Sequence, residues 1–477
     1  MTALSSYPAA AEAQPKLWHA LVLTAAVATM CLFRVDLQAL DLTTLSRLAL
    51  LCVALLIFTV VRARPRGLWS VPSLFALVAS LFHVGLLFFP AFGLPVDLGD
   101  VDVSWFYTSA TREAIVLVTI GLLSYGLGVV LVGLHRSAPA SPPSSGKSAE
   151  PLAVVGFFLL ASAIALWIAI TARAVGPGFV FASYRTYLDA TNSAPMPYVL
   201  LFIGLGLVFV AASRVDKWIR RAAIVFGVFA LLALPLGLRG EVLFPAVAAA
   251  AVLARSRRMP NAVNTLLVAL VLLSVFSAIR QERELGLGNV DAPQLSISPL
   301  AGVGELGTTL RVTSLSVSWH EEGHEAYRVG STYEAPFARP MSQLLGRPVA
   351  PARADYRLMN VEIKHRVGGI GGSFIGEAHH NFGAAGVLLI PFMIGYALCQ
   401  LDRRRVSLIA DGAIGIVMFA LLQHVRNSFA PLPSELLIGF VLLVAVWIVS
   451  NRLGRPAPSG AGSARPGQRV NVSRVIA

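Results

Sequence analysis

Long apolar runs separated by short polar segments recur along the chain from Leu17 to Trp447. A helix needs about 20 apolar residues to cross the roughly 30 Å hydrocarbon core of a bilayer. The pattern therefore predicts an all-α, polytopic integral membrane protein with about 12 transmembrane helices. The predicted spans are residues 17–33, 44–61, 71–92, 113–134, 152–171, 198–212, 222–238, 242–254, 262–278, 383–401, 407–422 and 435–450.

Charge adds an orientation to this prediction. The chain is 56% hydrophobic and only 13% charged, with a formal net charge of +13. Its basic residues cluster in alternate interspan segments, which is the pattern of cytoplasmic loops and not that of a nucleic-acid-binding surface. The clusters lie at 62–66, 214–221, 255–258, 403–405 and in the tail after Arg452. Both termini are therefore predicted to be cytoplasmic, and the first span is expected to direct insertion without a removable signal peptide.

The polar segments indicate how the chain is organised. Residues 1–451 are predicted to form a single transmembrane domain, and residues 452–477 a disordered cytoplasmic tail rich in Pro, Gly, Ser and Arg. A large extracytoplasmic loop, residues 280–382, is predicted between the ninth and tenth spans. The linker at 141–148 ends in Gly-Lys-Ser but lacks the upstream glycine, strand and helix of a phosphate-binding loop. The three cysteines lie in apolar runs, and neither a cofactor nor a structural metal is expected.

The turn around Arg239 is unusual for its position. The spans on either side of it are short, so Leu238-Arg239-Gly240-Glu241 is expected to dip into the membrane. An arginine at that depth costs about 3 kcal/mol unless it is paired or hydrated. Arg239 is therefore expected to line an outward-facing cavity. The alternative is a plain outer-leaflet turn in which Arg239 reaches lipid headgroups or pairs with Glu241.

Further arginines are predicted at the same outer level of the membrane. Arg280 begins the large loop directly after a span, and Arg426 lies at the outer end of another. Arginine presents a rigid fork of donors that suits phosphate oxygens, so several at one level favour an anionic ligand such as a lipid diphosphate. Glu377, His379 and His380 lie directly before the predicted span 383–401. A carboxylate or imidazole at this position could take a proton from a sugar hydroxyl.

Several motifs in the second half of the chain resemble those of the bacterial O-antigen polymerases. The main one is GGSFIGEAHHNFG at 371–383, followed by GVLLIP at 386–391 and LDRR at 401–404. Weaker similarities are GLRGE at 237–241, ELG at 305–307 with Arg311, GSTY at 330–333 and RNSF at 426–429. The resemblance covers residues 239–429, and the earlier spans match only in hydropathy.

The resemblance implies a glycosyltransferase of the bacterial plasma (inner) membrane. Such an enzyme joins oligosaccharide repeat units carried on undecaprenyl diphosphate into a surface polysaccharide on the extracytoplasmic face. A chain-length regulator and a flippase are the implied protein partners. Arginines would offset the charge of the leaving diphosphate without a metal ion. Carried over to this sequence, the implied diphosphate ligands are Arg239, Arg280, Arg311 and Arg426, and the implied general base is Glu377, with His379 or His380 as substitutes.

The main motif also has a purely structural interpretation. Gly371, Gly372 and Gly376 could serve only the close packing of a short re-entrant or interfacial helix. Asn381 is interpreted as the cap of the span that begins near Gly383. Glu377 could be a structural partner for an arginine.

Two other groups of residues suggest metal chemistry. His320-Glu321-Glu322-Gly323-His324 matches the H-E-x-x-H zinc motif, in which two histidines one helical turn apart bind the metal. Gly323 weakens a helix there, and the segment lies in a polar loop, so a protease is disfavoured. Asp97, Asp100 and Asp102 in the first long outer loop could bind a metal or act as a base, although a solvated acidic loop is the simpler interpretation.

Two alternative functions keep the same membrane architecture. A flippase or other transporter of lipid-linked oligosaccharides would need central charged residues and commonly shows inverted repeats, which this sequence does not display. An O-antigen-ligase-like transferase would also need an arginine-lined diphosphate site and a base. The sequence does not separate a ligase from a polymerase.

Overall fold

The chain folds almost entirely into helices. The computed structural model describes residues 17–96, 102–134, 149–285 and 298–453, and these contain no β-strand. The helices of the first half are α1 (Leu17–Leu32), α2 (Arg34–Gln38), α3 (Leu42–Arg62), α4 (Val71–Val84), α5 (Phe88–Ala91), α6 (Ser109–Leu134), α7 (Glu150–Val175), α8 (Tyr184–Thr191), α9 (Met196–Ser213) and α10 (Asp216–Ala233). Those of the second half are α11 (Arg239–Leu253), α12 (Ala262–Leu285), α13 (Pro299–Leu306), α14 (Leu310–Val317), α15 (Ser331–Leu344), α16 (Met359–Val367), α17 (Phe374–Asp402), α18 (Leu408–Arg426) and α19 (Leu432–Leu453).

Each predicted span lies mainly in helix, although α10 ends at Ala233, within the predicted span 222–238. Within the described ranges, eight helical stretches are long and apolar enough to cross a membrane. They are Leu42–Arg62, Val71–Ala91, Ser109–Leu134, Glu150–Val175, Met196–Ser213, Phe374–Asp402, Leu408–Arg426 and Leu432–Ser450. The other predicted spans correspond to α1, α10, α11 and α12, which are shorter or carry more charge.

Helix α6 is the centre of the bundle, and most of its side chains are buried. It packs most extensively on α17, with α1, α3 and α14 around it. A glycine permits the close approach on each side: Gly128 lies against the backbone of Phe392, and Gly395 against the backbone of Tyr125. Small residues at such positions let helix backbones approach closely, which is how helices pack within a membrane.

Two buried aspartates form hydrogen bonds and ion pairs with basic residues at one end of the bundle. Asp402 accepts hydrogen bonds from Arg64 at 3.0 Å, Arg66 at 3.2 Å and Arg255 at 3.0 Å. Asp411 accepts from Arg255 at 2.8 Å and forms an ion pair with Arg214. We call this network the aspartate end. The clusters 62–66, 214–221, 255–258 and 403–405 therefore each contribute to, or directly adjoin, one end of the molecule.

The Arg255–Asp411 ion pair fixes the relative direction of two packed helices. It joins the end of α11 to the start of α18, and Val252 also lies against Gly415. The two helices are therefore antiparallel. Arg239 at the start of α11 and Arg426 at the end of α18 consequently lie at the same end, about 22 to 24 Å of helix away from the aspartate end.

Much of the predicted large loop is packed against the bundle. Helix α13 contacts α4, α5 and α12, and the backbone of Gly307 lies against that of Gly85. Helix α14 packs on α6 and α17, where Ser314 and Thr111 share a 2.6 Å hydrogen bond between hydroxyls. The described part of the segment 280–382 is thus not a simple external loop, because its buried apolar residues contribute to the same core as the long helices.

Candidate functional site

The motif at 371–383 forms a short helix that reverses direction before the following span. Ser373 caps the start of α17, since its extended backbone lets its hydroxyl accept the Gly376 N–H at 3.0 Å. Gly383 interrupts the helix with φ 62° and ψ −149°. Ile375 and Val387 both lie against Gly121, whereas a straight helix would separate them by about 18 Å. The chain therefore folds back at Gly383.

Asn381 does not cap the second segment as the sequence suggested. Its side-chain amide donates to Thr332 Oγ1 at 2.7 Å and to the Glu377 backbone oxygen at 2.8 Å. Asn381 therefore holds the start of α15 against the motif helix. The interpretation as a cap was wrong because Asn381 lies within the helical segment before Gly383, and its side-chain oxygen accepts the Thr332 backbone N–H at 3.5 Å instead of an N–H of the following segment.

Glu377 is fully buried and engaged through both carboxylate oxygens. Its side chain is 0% exposed, accepts the Thr332 hydroxyl at 2.7 Å and accepts the Phe429 backbone N–H at 2.6 Å. Neither bond comes from an arginine. Glu377 thus joins the motif helix to the start of α15 and to the turn between α18 and α19.

The two adjacent histidines of the motif belong to different hydrogen-bond chains. His380 Nδ1 lies 2.8 Å from His320 Nε2, and His380 Nε2 lies 3.1 Å from Glu362 Oε2. The Glu325 carbonyl must accept from His320 Nδ1 at 2.8 Å, so a neutral His320 accepts from His380 at its other nitrogen. His380 then donates from both nitrogens, which requires the imidazolium form.

Glu362 carries the charge that this imidazolium needs. Arg328 lies 2.5 Å and Arg366 2.7 Å from its other oxygen. Burial acts to raise the pKa of Glu362, but the bonds and charges of His380 and Arg328 outweigh it and lower the pKa to about 2. Burial lowers the pKa of the His320 imidazole, which fits the neutral form assigned to it.

His379 faces a second group that reaches the surface. Its Nδ1 shares a 2.9 Å hydrogen bond with Ser316 Oγ, and its Nε2 lies 3.6 Å from Glu321 Oε1. Glu321 is 38% exposed at its side chain, accepts the Tyr327 hydroxyl at 3.0 Å and pairs with Arg34 at 3.4 Å. Among the described residues, His379 Nε2 has no hydrogen-bond partner although it is buried.

The Glu321 carboxylate is held in its ionised form by these neighbours. Partial burial acts to raise the pKa of Glu321, but the Tyr327 hydroxyl, Arg34 and His379 together lower it. Arg34 also forms an ion pair with Glu113 at the start of α6. The other end of α6 lies at the aspartate end, where Arg403, the residue after Asp402, donates to the Val132 carbonyl at 2.6 Å. We call the group of His320, His379, His380, Glu321 and Glu362 the histidine end, which is opposite the aspartate end.

The four arginines predicted to bind one anion are not all brought together. Arg239 is 2% exposed and pairs with Glu305 of α13. Arg426 is half-buried, and no acceptor lies within hydrogen-bond or ion-pair distance of its guanidinium in the described part of the chain. Arg311 lies over the Trp105 ring at 5.8 Å, on a different face of α14 from Thr313 and Ser316. The side chain of Arg280 lies outside the described residues.

The segment with the zinc motif does not have the geometry that motif requires. Residues Ser318–Glu322 form a single wide helical turn that ends at Gly323, and His324 adopts a left-handed backbone with φ 53°. His320 and His324 are therefore not one turn apart on a continuous helix. Among the residues with described positions, no group of three or more His, Cys, Asp or Glu side chains could hold a metal ion.

The acidic loop after α5 is only partly described. Asp97 and Asp100 lie outside the described residues. Asp102 is exposed and accepts hydrogen bonds at 2.9 Å from the backbone N–H and the hydroxyl of Ser104. This is a local turn, which accords with the interpretation as a solvated loop.

Several residues of the histidine end were not identified from the sequence. Arg34, Ser316, Tyr327 and Glu362 belong to no motif singled out in the sequence, and Thr332 was noted only as part of the weak GSTY similarity; each contacts a motif residue in the structure. Glu321 was considered only as part of a zinc motif. The one available sequence signal was the high density of His and Glu between 320 and 325, which the structure places against His379 and His380.

Comparisons with known proteins agree with the membrane architecture. The sequence model of one protein family, described as O-antigen polysaccharide polymerase Wzy, matches residues 21–455. The chain is 22% identical over 345 residues to Protein CapE of Staphylococcus aureus, a similarity that covers 71% of this chain and 75% of that protein. No solved structure matches the chain.

Proposed function

The chain belongs to the O-antigen polysaccharide polymerase Wzy family, and from that premise we propose that it transfers glycan between undecaprenyl-diphosphate-linked oligosaccharide repeat units. The product is a polysaccharide extended on the extracytoplasmic face of the bacterial inner membrane. Membership of the family establishes a membrane protein of polysaccharide biosynthesis. The lipid donor, the face of the membrane and the residues involved are the proposal.

The proposed topology has about 12 spans with both termini in the cytoplasm. The aspartate end is the cytoplasmic side, because it collects basic segments of the kind retained there. The histidine end then faces outwards. Measured from the aspartate end, Arg239 and Arg426 lie only about 22 to 24 Å of helix away, so they are placed short of the outer edge of the roughly 30 Å hydrocarbon core.

Arg426 is the residue proposed to bind the donor diphosphate. The proposal rests on one observation: the Arg426 guanidinium is half-buried and has no acceptor among the described residues. A buried charge is unfavourable unless a group of opposite charge or a hydrogen-bond acceptor pairs with it. Arg239 already has Glu305 as its ion-pair partner, so it contributes only to the electrostatic potential at the end of the bundle that it shares with Arg426. Arg311 and Arg280 are assigned no contact with the reacting groups.

The reaction breaks one bond and forms another at the anomeric carbon. The bond from that carbon to the diphosphate oxygen breaks, and its electron pair stays on the diphosphate beside Arg426. A bond forms from the same carbon to a hydroxyl oxygen of the acceptor glycan. The hydroxyl proton passes to a base at the histidine end.

Glu321 is the proposed base, with His379 beside it. Glu321 is ionised and exposed, so it can contact an acceptor hydroxyl, and the His379 imidazole 3.6 Å away can share the proton. Glu377 is a positioning residue in this proposal, because both its oxygens are engaged in a fully buried site. His380, bonded to His320 and Glu362, orients the helix that carries His379.

Purified protein in lipid nanodiscs tests the function directly. With lipid-linked repeat units as the substrate, wild type should give a ladder of products that differ by one unit. Arg426→Gln should abolish the ladder, whereas Arg347→Gln, a change at an exposed arginine of the segment after α15, should not. Failure of the wild type to extend these units, or an unchanged ladder from Arg426→Gln, contradicts the proposal.

A cellular measurement separates polymerisation from transport. Cells that carry Arg426→Gln should display single repeat units on their surface but no long polysaccharide. Loss of the single units as well would indicate a flippase. Transfer of finished glycan to a different acceptor, without a ladder, would indicate a ligase.

A further inference from the structure

A small cleft lies near the histidine end, between α16 and the turn that joins α18 to α19. Its volume is about 220 Å³, below the roughly 300 Å³ at which pockets for drug-sized ligands begin. There is room for one compact group. The residues that line it include Asn360, Lys364, Gly371, Gly372, Asn427 and Ser428.

Ser428 gives the cleft an unsatisfied donor. The residue is 1% exposed, and its hydroxyl oxygen has no hydrogen-bond partner among the described residues. A buried hydroxyl without a partner is unfavourable, so such groups in folded proteins generally meet another polar group. Since Ser428 lines the cleft, a ligand oxygen placed there can accept its hydrogen.

The charges around the cleft favour an anion. Lys364 is the charged side chain among the lining residues, and no carboxylate lines the cleft. Arg426 packs against Gly371, which lines the cleft, and has no acceptor in the described part of the chain. The nearby Glu362 belongs to the neighbouring face of α16, where His380, Arg328 and Arg366 already surround it.

The glycines let the two walls of the cleft approach closely. Gly371 has φ +89°, a conformation that disfavours any side chain, and a side chain there would also meet the Arg426 carbonyl. Gly372 lies directly against the backbone of Asn427 and Ser428, and its N–H donates to the Arg426 carbonyl at 2.5 Å. A methyl group at Gly372 would therefore push the two sides of the cleft apart.

We propose that this cleft binds a phosphate oxyanion, held by the Ser428 hydroxyl and Lys364, with Arg426 beside the lining residue Gly371. Phosphate is preferred because its several oxygens can accept from a hydroxyl, an ammonium and a guanidinium at once. The Asn360 and Asn427 amides supply further donors at the edge. The identification of its source as the diphosphate of the lipid-linked substrate rests on the proposed function. Free inorganic phosphate or pyrophosphate from solution is the other source.

Binding measurements on the full-length protein in phosphatidylcholine nanodiscs test this site without catalysis. The probes are inorganic pyrophosphate and, separately, undecaprenyl diphosphate incorporated in the nanodisc. Ser428→Ala and Lys364→Gln should each weaken binding of the recognised probe by about tenfold. Arg347→Gln, which removes an exposed charge elsewhere, should leave binding unchanged and controls for net charge.

The pattern across the two probes identifies the source. Variant-sensitive binding of undecaprenyl diphosphate supports the lipid headgroup, and variant-sensitive binding of pyrophosphate alone supports a site for free phosphate. Binding of neither probe to wild type overturns the site. Binding that both variants leave unchanged, with the thermal unfolding midpoint preserved, overturns it as well.

These outcomes are independent of the polymerase assay. If wild type makes no product ladder yet binds a probe through Ser428 and Lys364, the proposed polymerase function is refuted and the phosphate-binding site is supported. If the ladder forms and neither variant alters binding or the apparent KM for the donor, the phosphate-binding site is refuted and the polymerase function is supported.

Discussion

His320 Nε2 lies 2.8 Å from His380 Nδ1, across sixty positions of sequence. The contact joins a segment that resembles a zinc motif to the main motif of the chain, and it uses one of the nitrogens a metal would need. His380 continues to Glu362 at 3.1 Å, and Glu362 to two arginines. The histidine end is therefore held by a continuous chain of charge-assisted hydrogen bonds, which is stronger than neutral ones.

This chain should make stability depend on pH through Glu362. Its pKa is about 2 in the folded protein against an ordinary value of 4.5, so its stabilising contribution is complete above 4.5 and is lost as the pH falls through 2. The apparent unfolding midpoint of wild type in nanodiscs should fall between pH 4.5 and 2. The unfolding midpoint of Glu362→Gln should be lower than that of wild type at pH 4.5 and should fall less between pH 4.5 and 2. The exposed Glu334→Gln should follow wild type, and identical curves for Glu362→Gln and wild type would remove this role.

Glu377 should tolerate Gln far better than Ala. Glutamine keeps an oxygen for the Phe429 N–H and an amide that can meet the Thr332 hydroxyl. Alanine leaves the Phe429 N–H without its acceptor, a loss of about 1–3 kcal/mol. Glu377→Ala should lower the unfolding midpoint and the amount of product, while Glu377→Gln should retain chain growth. Loss of catalysis in a well-folded Glu377→Gln would instead indicate that Glu377 is the base.

Glu321→Gln should reduce the turnover number with little effect on the apparent KM. The substitution removes the proposed proton acceptor but keeps the shape of the side chain and a partner for Tyr327. General-base contributions are typically of the order of 10²- to 10⁴-fold, so a loss in that range is expected in the nanodisc assay. Glu322→Gln is the matched control, since Glu322 is adjacent and exposed but bonds only to Ser109 in the described contacts. Equal activity of the two variants would refute the assignment.

Gly383→Ala should destabilise the fold and disturb the site. With φ 62° and ψ −149°, Gly383 has a conformation open almost exclusively to glycine, and strain of this kind costs about 1–3 kcal/mol. A methyl group there would also meet the Tyr327 ring, which bonds to Glu321. The unfolding midpoint and chain growth should both fall. Gly227→Ala, in open space on helix α10, should be neutral or slightly stabilising and serves as the control.

Much of the architecture could be predicted from the sequence because the bilayer imposes it. Apolar length determines where helices form, and each predicted span lies mainly in helix in the structure. The position of basic residues likewise predicted which helix ends lie together, as the arginines around Asp402 and Asp411 show. The family resemblance at 371–383 was confirmed by the match over residues 21–455.

The candidate site depended on contacts that have no local signal. Asn381 has the residue type of a helix cap, yet Thr332 and Glu377 determine what it does. The reversal at Gly383 is a matter of two dihedral angles, and it decides that Glu377 points into the protein. Arg34 lies near the start of the chain and reaches Glu321 only because α2 and α14 both pack against the start of α6.

The sequence by itself determined that this protein is a helical membrane protein and which family it resembles, since hydropathy and charge act locally along the chain. The tertiary structure alone decided which polar groups meet. Desolvation inside the bundle makes each unpaired charge costly, so distant carboxylates, imidazoles and guanidiniums are brought into pairs. That requirement separates the engaged Glu377 and Arg239 from Arg426, whose guanidinium has no acceptor among the described residues.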